Sequence, residues 1–391
     1  MRTYTVLRDL GRAGTGEPYG GAAGLGGPEP GAAEPKIEVE ELGKADVRSL
    51  ARDPEVRALA PVMPTTLVRP FEVEADQAAT SAWGIGAVGA DRTARTGSGC
   101  VVAVLDTGID AAHPAFSGVQ LVQVDFSGSG DGDAQGHGTH CAGTAFGRDV
   151  DGTRIGVARG VERALIGKVL GDDGNGSSDM IFRGISWALD NGAHVISMSL
   201  GFDFPGYVKS AVDSGWPADL ATSLALEAYR GNLRMFDALM QLNRGREAFG
   251  TGALIVAAAG NESRREQDPD YEIAVSIPAA AEGVLSVGAL GASPGGLQVA
   301  PFSNTFCQVS GPGVKVLSAR TGGGLVSFNG TSMATPHVAG VAALWWEQVA
   351  ASQMPLSARA VTAKLMASAS TDGFVTDVDI VDRGLGIVQA P

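Results

Sequence analysis

From Cys100 onward, short apolar runs alternate with stretches of helical periodicity, and few folds accommodate that alternation. Val101–Leu105, Ala164–Leu170, His194–Ser199, Ala253–Ala258 and Val284–Leu290 read as strands that are apolar on both sides. Between and after them, Ser178–Asn191, Leu220–Leu242 and Ser332–Ala351 carry helical spacing. Strands buried on both faces and joined through helices predict a parallel sheet between helical layers. In such a sheet, ligands gather beyond the carboxyl ends of the strands. Asp106, the run Ser199-Leu200-Gly201 and Asn261 all fall at such ends.

Three polar groups stand out in settings that suit chemistry. Asp106 follows an apolar strand, and His137 lies in Gly136-His137-Gly138-Thr139-His140. Ser332 lies in Gly330-Thr331-Ser332-Met333-Ala334-Thr335-Pro336-His337, at the head of an apolar helix. The positive end of a helix favours developing negative charge beside that hydroxyl. Taken singly, each has a plain structural reading: Asp106 as a turn residue, His137 as a loop histidine, Ser332 as a helix cap. Asn261 alone reads as a turn former. Together, a carboxylate, an imidazole and a hydroxyl form a nucleophilic relay. His140, three residues from His137, raises a zinc pair as an alternative, but no neighbouring glutamate-histidine pattern supports it.

These segments resemble the subtilisin-like serine proteases. Asp106-Thr107-Gly108-Ile109-Asp110, Gly136 to Gly143 and Gly330 to Gly340 look like that family's aspartate, histidine and serine motifs, in its chain order. The resemblance runs from about Ala82 to Leu385 and includes Lys168-Val169-Leu170-Gly171 and Ala257-Ala258-Ala259-Gly260-Asn261. It implies a three-layer α/β sandwich with a mostly parallel central sheet. It also implies a serine endopeptidase that forms an acyl-enzyme on Ser332, with His137 as base and Asp106 orienting it. Asn261 and the Ser332 N–H would bind the oxyanion. Substrate would lie as an added strand on Ser199, Leu200 and Gly201, with Ala258, Ala259 and Gly260 in a pocket wall. No cofactor is implied for catalysis. Structural calcium is common in such proteins, and the acidic loops at Asp125 and at Asp149 and Asp151 are candidates, with solvated turns as the alternative.

The N-terminal part reads as a small α+β module, expected over residues 1–75. It holds strands at Tyr4–Leu10, Ile37–Leu42 and Val56–Val62, a helix at Lys44–Arg52, and a Gly-rich loop over 11–35. By resemblance this is an inhibitory propeptide, or else a permanent N-terminal domain, ahead of a catalytic domain over 76–391. The stretch 202–250 exceeds the family pattern: Phe202–Pro217, followed by a long amphipathic stretch from Ala218 to Asn243, is expected as a rim or lid beside the substrate strand, with a solvent-side elaboration as the alternative.

A net charge of −14 makes nucleic acid and anionic membranes unexpected partners. Three cysteines show neither a disulfide framework nor zinc spacing. With no export signal at the start, a cytoplasmic processing or maturation protease acting on peptides or proteins is expected. A general protein-degrading enzyme and a catalytically silent peptide-binding protein are the alternatives.

Overall fold

The computed structural model describes residues 1–9, 35–68, 70–72, 81–248, 250–376 and 378–391. The Gly-rich loop expected over 11–35 lies almost wholly outside them. The chain forms two compact units, one of Met1–Pro64 with Asp203–Leu239, the other of Thr65–Phe202 with Met240–Pro391.

The larger unit is built on an eight-stranded sheet. Its order is Gly296–Val299, Val284–Ser293, Leu254–Ala258, Val195–Met198, Val101–Asp106, Arg163–Lys168, Gln120–Asp125, with Val309–Pro312 also paired to Val284–Ser293. Every pairing is parallel except that of Gly296–Val299, which is antiparallel. Alternate residues separate to the two faces, as the pleat requires. Val102 and Val104, with Ala164 and Ile166, join the core beneath the helices His137–Phe146, Thr331–Ala350 and Ala358–Ala367. The helix Ser178–Asp190 packs against Val101–Asp106 and Arg163–Lys168; Leu105 approaches it at Gly184. Thr331–Ala350 is buried over most of its circumference, which accounts for its apolar sequence. No helix among the described residues is long and apolar enough to cross a membrane.

The smaller unit holds an antiparallel sheet in the order Lys36–Leu42, Arg2–Arg8, Val56–Pro61, with the helix Lys44–Leu50. Residues 203–239 complete this unit, through the helix Phe204–Asp213 and the first part of Ala218–Glu247. The buried Asn232 amide donates to Pro61 O at 2.9 Å, and Gly231 leaves room for Ala60 and Pro61. The Arg2 guanidinium lies over the Trp216 ring. The expected elaboration over 202–250 is therefore divided: residues 203–239 share a unit with the N-terminal strands, while Phe202 and the residues from Met240 belong to the larger unit. The expected module boundary at residue 75 also moves, because the unit ends at Pro64 and Thr65–Leu67 pairs elsewhere.

Candidate active site

Asp106 ends the strand Val101–Asp106 and His137 opens the helix His137–Phe146. His137 Nδ1 lies 2.7 Å from Asp106 Oδ1, with both side chains almost wholly buried. The Thr107 N–H donates to the same Oδ1 at 2.8 Å. Asp106 Oδ2 is buried without a hydrogen-bond partner among the described residues. Burial opposes a charge on the His137 ring, but the Asp106 carboxylate outweighs it and holds His137 well above the ordinary histidine value. The Cys141 thiol sits 3.8 Å from Nδ1, and burial pushes its own pKa up, so it is neutral near pH 7.

Ser332 is the second residue of its helix, fully buried, with Oγ 3.0 Å from Val68 O and 3.4 Å from Ser199 O. Four residues on, Pro336 has no N–H to return to Ser332 O. Two side chains from other elements take its place: Ser199 Oγ at 3.1 Å and Cys141 Sγ at 3.4 Å both donate to that carbonyl. The Ser332 backbone is thus held from the segment after the strand Val195–Met198 and from the helix His137–Phe146.

Asn261 Oδ1 accepts from the Thr331 N–H at 2.9 Å and from Thr331 Oγ1 at 2.8 Å, which turns its Nδ2 the other way. A side chain at Gly330 would begin 3.1 Å from that Nδ2, so glycine keeps the approach clear. Ala258 ends its strand, Ala259 accepts from Asn304 Nδ2, and the Gly260 N–H donates to Thr331 Oγ1 at 3.2 Å.

The cleft is filled by the chain itself, which sequence reading missed. Leu67, Thr66 and Thr65 pair antiparallel with Leu200, Gly201 and Phe202. The Leu67 N–H donates to Gly174 O at 2.9 Å on the other side. Val68 is buried, its Cγ2 3.4 Å from where a Gly201 side chain would begin. Beyond the serine, Phe71 and Glu72 pair with Asn329 and Phe328. The run Thr65-Thr66-Leu67-Val68, β-branched at three of its four positions, is the only local signal of a strand; its partner lies over 130 residues away. A recess of about 270 Å³ beside it is lined by Leu67, Pro70, Gln135, His137, Asp173, Gly174 and Phe328.

The Asp125 loop does not fit calcium. Asp125 Oδ1 accepts from the Ser127 N–H, Ser127 Oγ and the Gly128 N–H, and Oδ2 accepts from the Gly130 N–H. Those donors direct hydrogens where a cation would sit, and against the effect of burial they hold the carboxyl below its usual range. Asp149 is paired with Arg159 at 3.2 Å, and Asp151 turns the chain at φ +48°. Among the described residues, His, Cys and acidic ligand atoms converge closely at Asp106, His137 and Cys141, within the site already described.

The other histidines are structural. His113 accepts from the Ala115 N–H at 3.1 Å. His140 Nε2 lies 3.0 Å from Val316 O, its ring against Phe328, so it does not share a ligand position with His137. His337 Nδ1 donates to Met333 O at 2.8 Å. Burial lowers His140 to about 3, helped by nearby His137, and lowers His337 to about 4. Both folded values lie below the ordinary ~6.5, so the unfolded chain takes up protons first. The stability they contribute is present above ~6.5 and is lost as pH falls toward 3–4. At ~1.4 kcal/mol per unit for each, these two histidines lower the stability of the Ser332→Ala chain by up to roughly 5 kcal/mol between pH 6.5 and 4.5. His194, lowered to about 4 by burial, acts in the same direction. A urea midpoint that stays level across that interval would contradict this.

A parallel sheet carrying a carboxylate, an imidazole and a helix-borne serine in this chain order defines a serine hydrolase of the α/β class. Residues 97–387 match the subtilase family. The chain is 35% identical to the "Thermostable alkaline protease" of Halalkalibacterium halodurans, over 78% of this chain and 70% of that one. It is 34% identical to the "M-protease" of Shouchella clausii, over 78% and 67%. With "Subtilisin DY" of Bacillus licheniformis it shares 32%, over 80% and 99%. The chain belongs to the subtilase family and is a serine endopeptidase.

Proposed function

We propose that Ser332 attacks the substrate carbonyl, His137 takes the serine proton and passes it to the leaving amine, and Asp106 fixes the imidazole and stabilises its charged form. The backbone N–H of Ser332 and Nδ2 of Asn261 would receive the oxyanion. Substrate would add as a strand on Ser199-Leu200-Gly201, as Thr65–Leu67 does on Leu200–Phe202. Cleavage within a chain suits this arrangement, because backbone pairing continues on both sides of the serine.

The single observation carrying the next step is the 3.0 Å separation of Ser332 Oγ from Val68 O. The chain is an uncut precursor whose own Val68–Arg69 bond is the first substrate, and residues 1–68 are an inhibitory segment. Mass spectrometry of the purified chain tests it. Wild type is expected to yield a new N-terminus at Arg69, with Ser332→Ala intact. A wild-type chain that stays whole, or is cut first elsewhere, overturns the assignment.

For the physiological role, we propose a processing or maturation protease acting inside the cell. Three buried free thiols, Cys100, Cys141 and Cys307, fit a reducing compartment. The extended pairing of Thr65–Leu67 supports a choice of substrate by sequence as well as by accessibility.

A further inference from the structure

We infer that Asp133, outside the three-residue relay, is a positioning residue for catalysis: its one carboxylate fixes the Asp106 turn against the first turn of the His137 helix. The inference rests on the proposed roles of Asp106 and His137.

Asp133 is buried, and both its oxygens are engaged. Oδ1 accepts from Thr107 Oγ1 and from the Gly136 N–H, each at 2.8 Å. Oδ2 accepts from the Thr139 N–H at 2.8 Å and from Thr139 Oγ1 at 2.6 Å. Gly136 and Thr139 bracket His137, while Thr107 directly follows Asp106. Thr107 Oγ1 in turn accepts from the Gly138 N–H at 2.9 Å, closing a ring between the two loops. Gly136, the N-cap, has no side chain to cap its helix, so Asp133 supplies the acceptor and the negative charge that the helix end favours.

The backbones in this knot are too close for side chains. A Cβ at Gly108, where φ is +105°, would lie 2.1 Å from Gly132 O, and one at Gly138 would lie 2.1 Å from Gly108 O. Two outer ties brace the same loop: Lys168 Nζ donates to Gly132 O at 3.2 Å, and Thr321 Oγ1 donates to Asp133 O at 3.0 Å. A relay of this kind is sensitive to its spacing, since a misplacement of about 1 Å costs about 100-fold. Thr107 also sends its own N–H to Asp106 Oδ1. Movement at Asp133 therefore reaches the carboxylate and the imidazole together.

The test is kcat counted per Ser332 labelled by a fluorophosphonate, with its pH profile, for Asp133→Asn, Thr107→Val, Thr107→Ser and the Asp133→Asn/Thr107→Val double variant. Charged or titratable groups around His137 are Asp133 at the head of its helix, whose charge Asp133→Asn removes and both Thr107 variants keep, and also Asp106 on the strand, Cys141 and His140 on its own helix, Asp173 across the recess, and Lys168 with Asp172 behind Gly132. Apart from Asp133 itself, all are retained in every variant. Asp133→Asn turns an amide N–H toward existing donors and is expected to lower per-site kcat about 100-fold, with KM changed less than about threefold. The acid limb of the profile shifts to lower pH as His137 loses its alignment on Asp106. Thr107→Val moves both readouts the same way, Thr107→Ser restores them, and the double variant is no worse than Asp133→Asn. Should Asp133→Asn not fold, the two Thr107 variants carry the same comparison. Per-site kcat and pH profile unchanged, with only the number of labelled sites reduced, would overturn the inference. So would full additivity in the double variant. Absence of Ser332 labelling in the wild type, after removal of residues 1–68, would instead remove the catalytic reading beneath it.

Discussion

Replacing Ser332 by alanine is expected to lower kcat about a million-fold, and replacing His137 by alanine to lower it about as far. Serine at neutral pH holds its proton too tightly to attack a peptide carbonyl, so neither group works without the other. The double replacement should therefore cost no more than either single one, leaving the ~10³–10⁴-fold acceleration that binding and oxyanion donors supply alone. After removal of residues 1–68 from every variant, steady-state rates on a peptide ending in Thr-Thr-Leu-Val before the scissile bond read this directly. Additive losses, or a serine variant within a hundredfold of wild type, would show that the relay is not one unit. The substitution removes one oxygen from a fully buried side chain, so a loss of fold is not an alternative account.

Asp106→Asn should lower kcat about 10⁴-fold and displace the pH profile. Only the neutral imidazole accepts the serine proton, so the wild-type rate rises as pH climbs through the His137 pKa. The Asp106 carboxylate holds that pKa well above the ordinary value against the effect of burial. Without it, burial acts unopposed and the acid limb moves to lower pH, while the lost tautomer preference lowers the plateau. The two effects have opposite consequences at acid pH, and a kcat profile from pH 5 to 10 separates them. A limb moving upward would contradict the assigned charge on Asp106.

What sequence disclosed followed from how local each feature is. Asp106, His137 and Ser332 sit inside short motifs that resemble those of the family, and the parallel sheet is written in runs such as Val101–Leu105. Thr65–Val68 carries no comparable mark, because its place in the cleft depends on the distant edge Leu200–Phe202. Leu220–Leu242 shows helical periodicity in sequence, yet periodicity does not say which surface a helix covers; Asn232 bonding to Pro61 O does. The Asp125 loop misled for a third reason. Carboxylate density is visible in a sequence, but whether N–H groups already surround Asp125 depends on backbone direction.

The proline at position 336 makes the reactive serine answerable to more than its own helix. Because residue 336 cannot close the rung that starts at Ser332, the Ser332 carbonyl is handed to a hydroxyl on one neighbour and a thiol on another. A mutation that restored an amide at 336 would return that oxygen to its helix and idle both braces. Drift at Ser199 or Cys141, residues that break no bond themselves, would reach the reacting atom through its main chain. The boundary between scaffold and hydrolytic machinery therefore runs through the middle of a single residue.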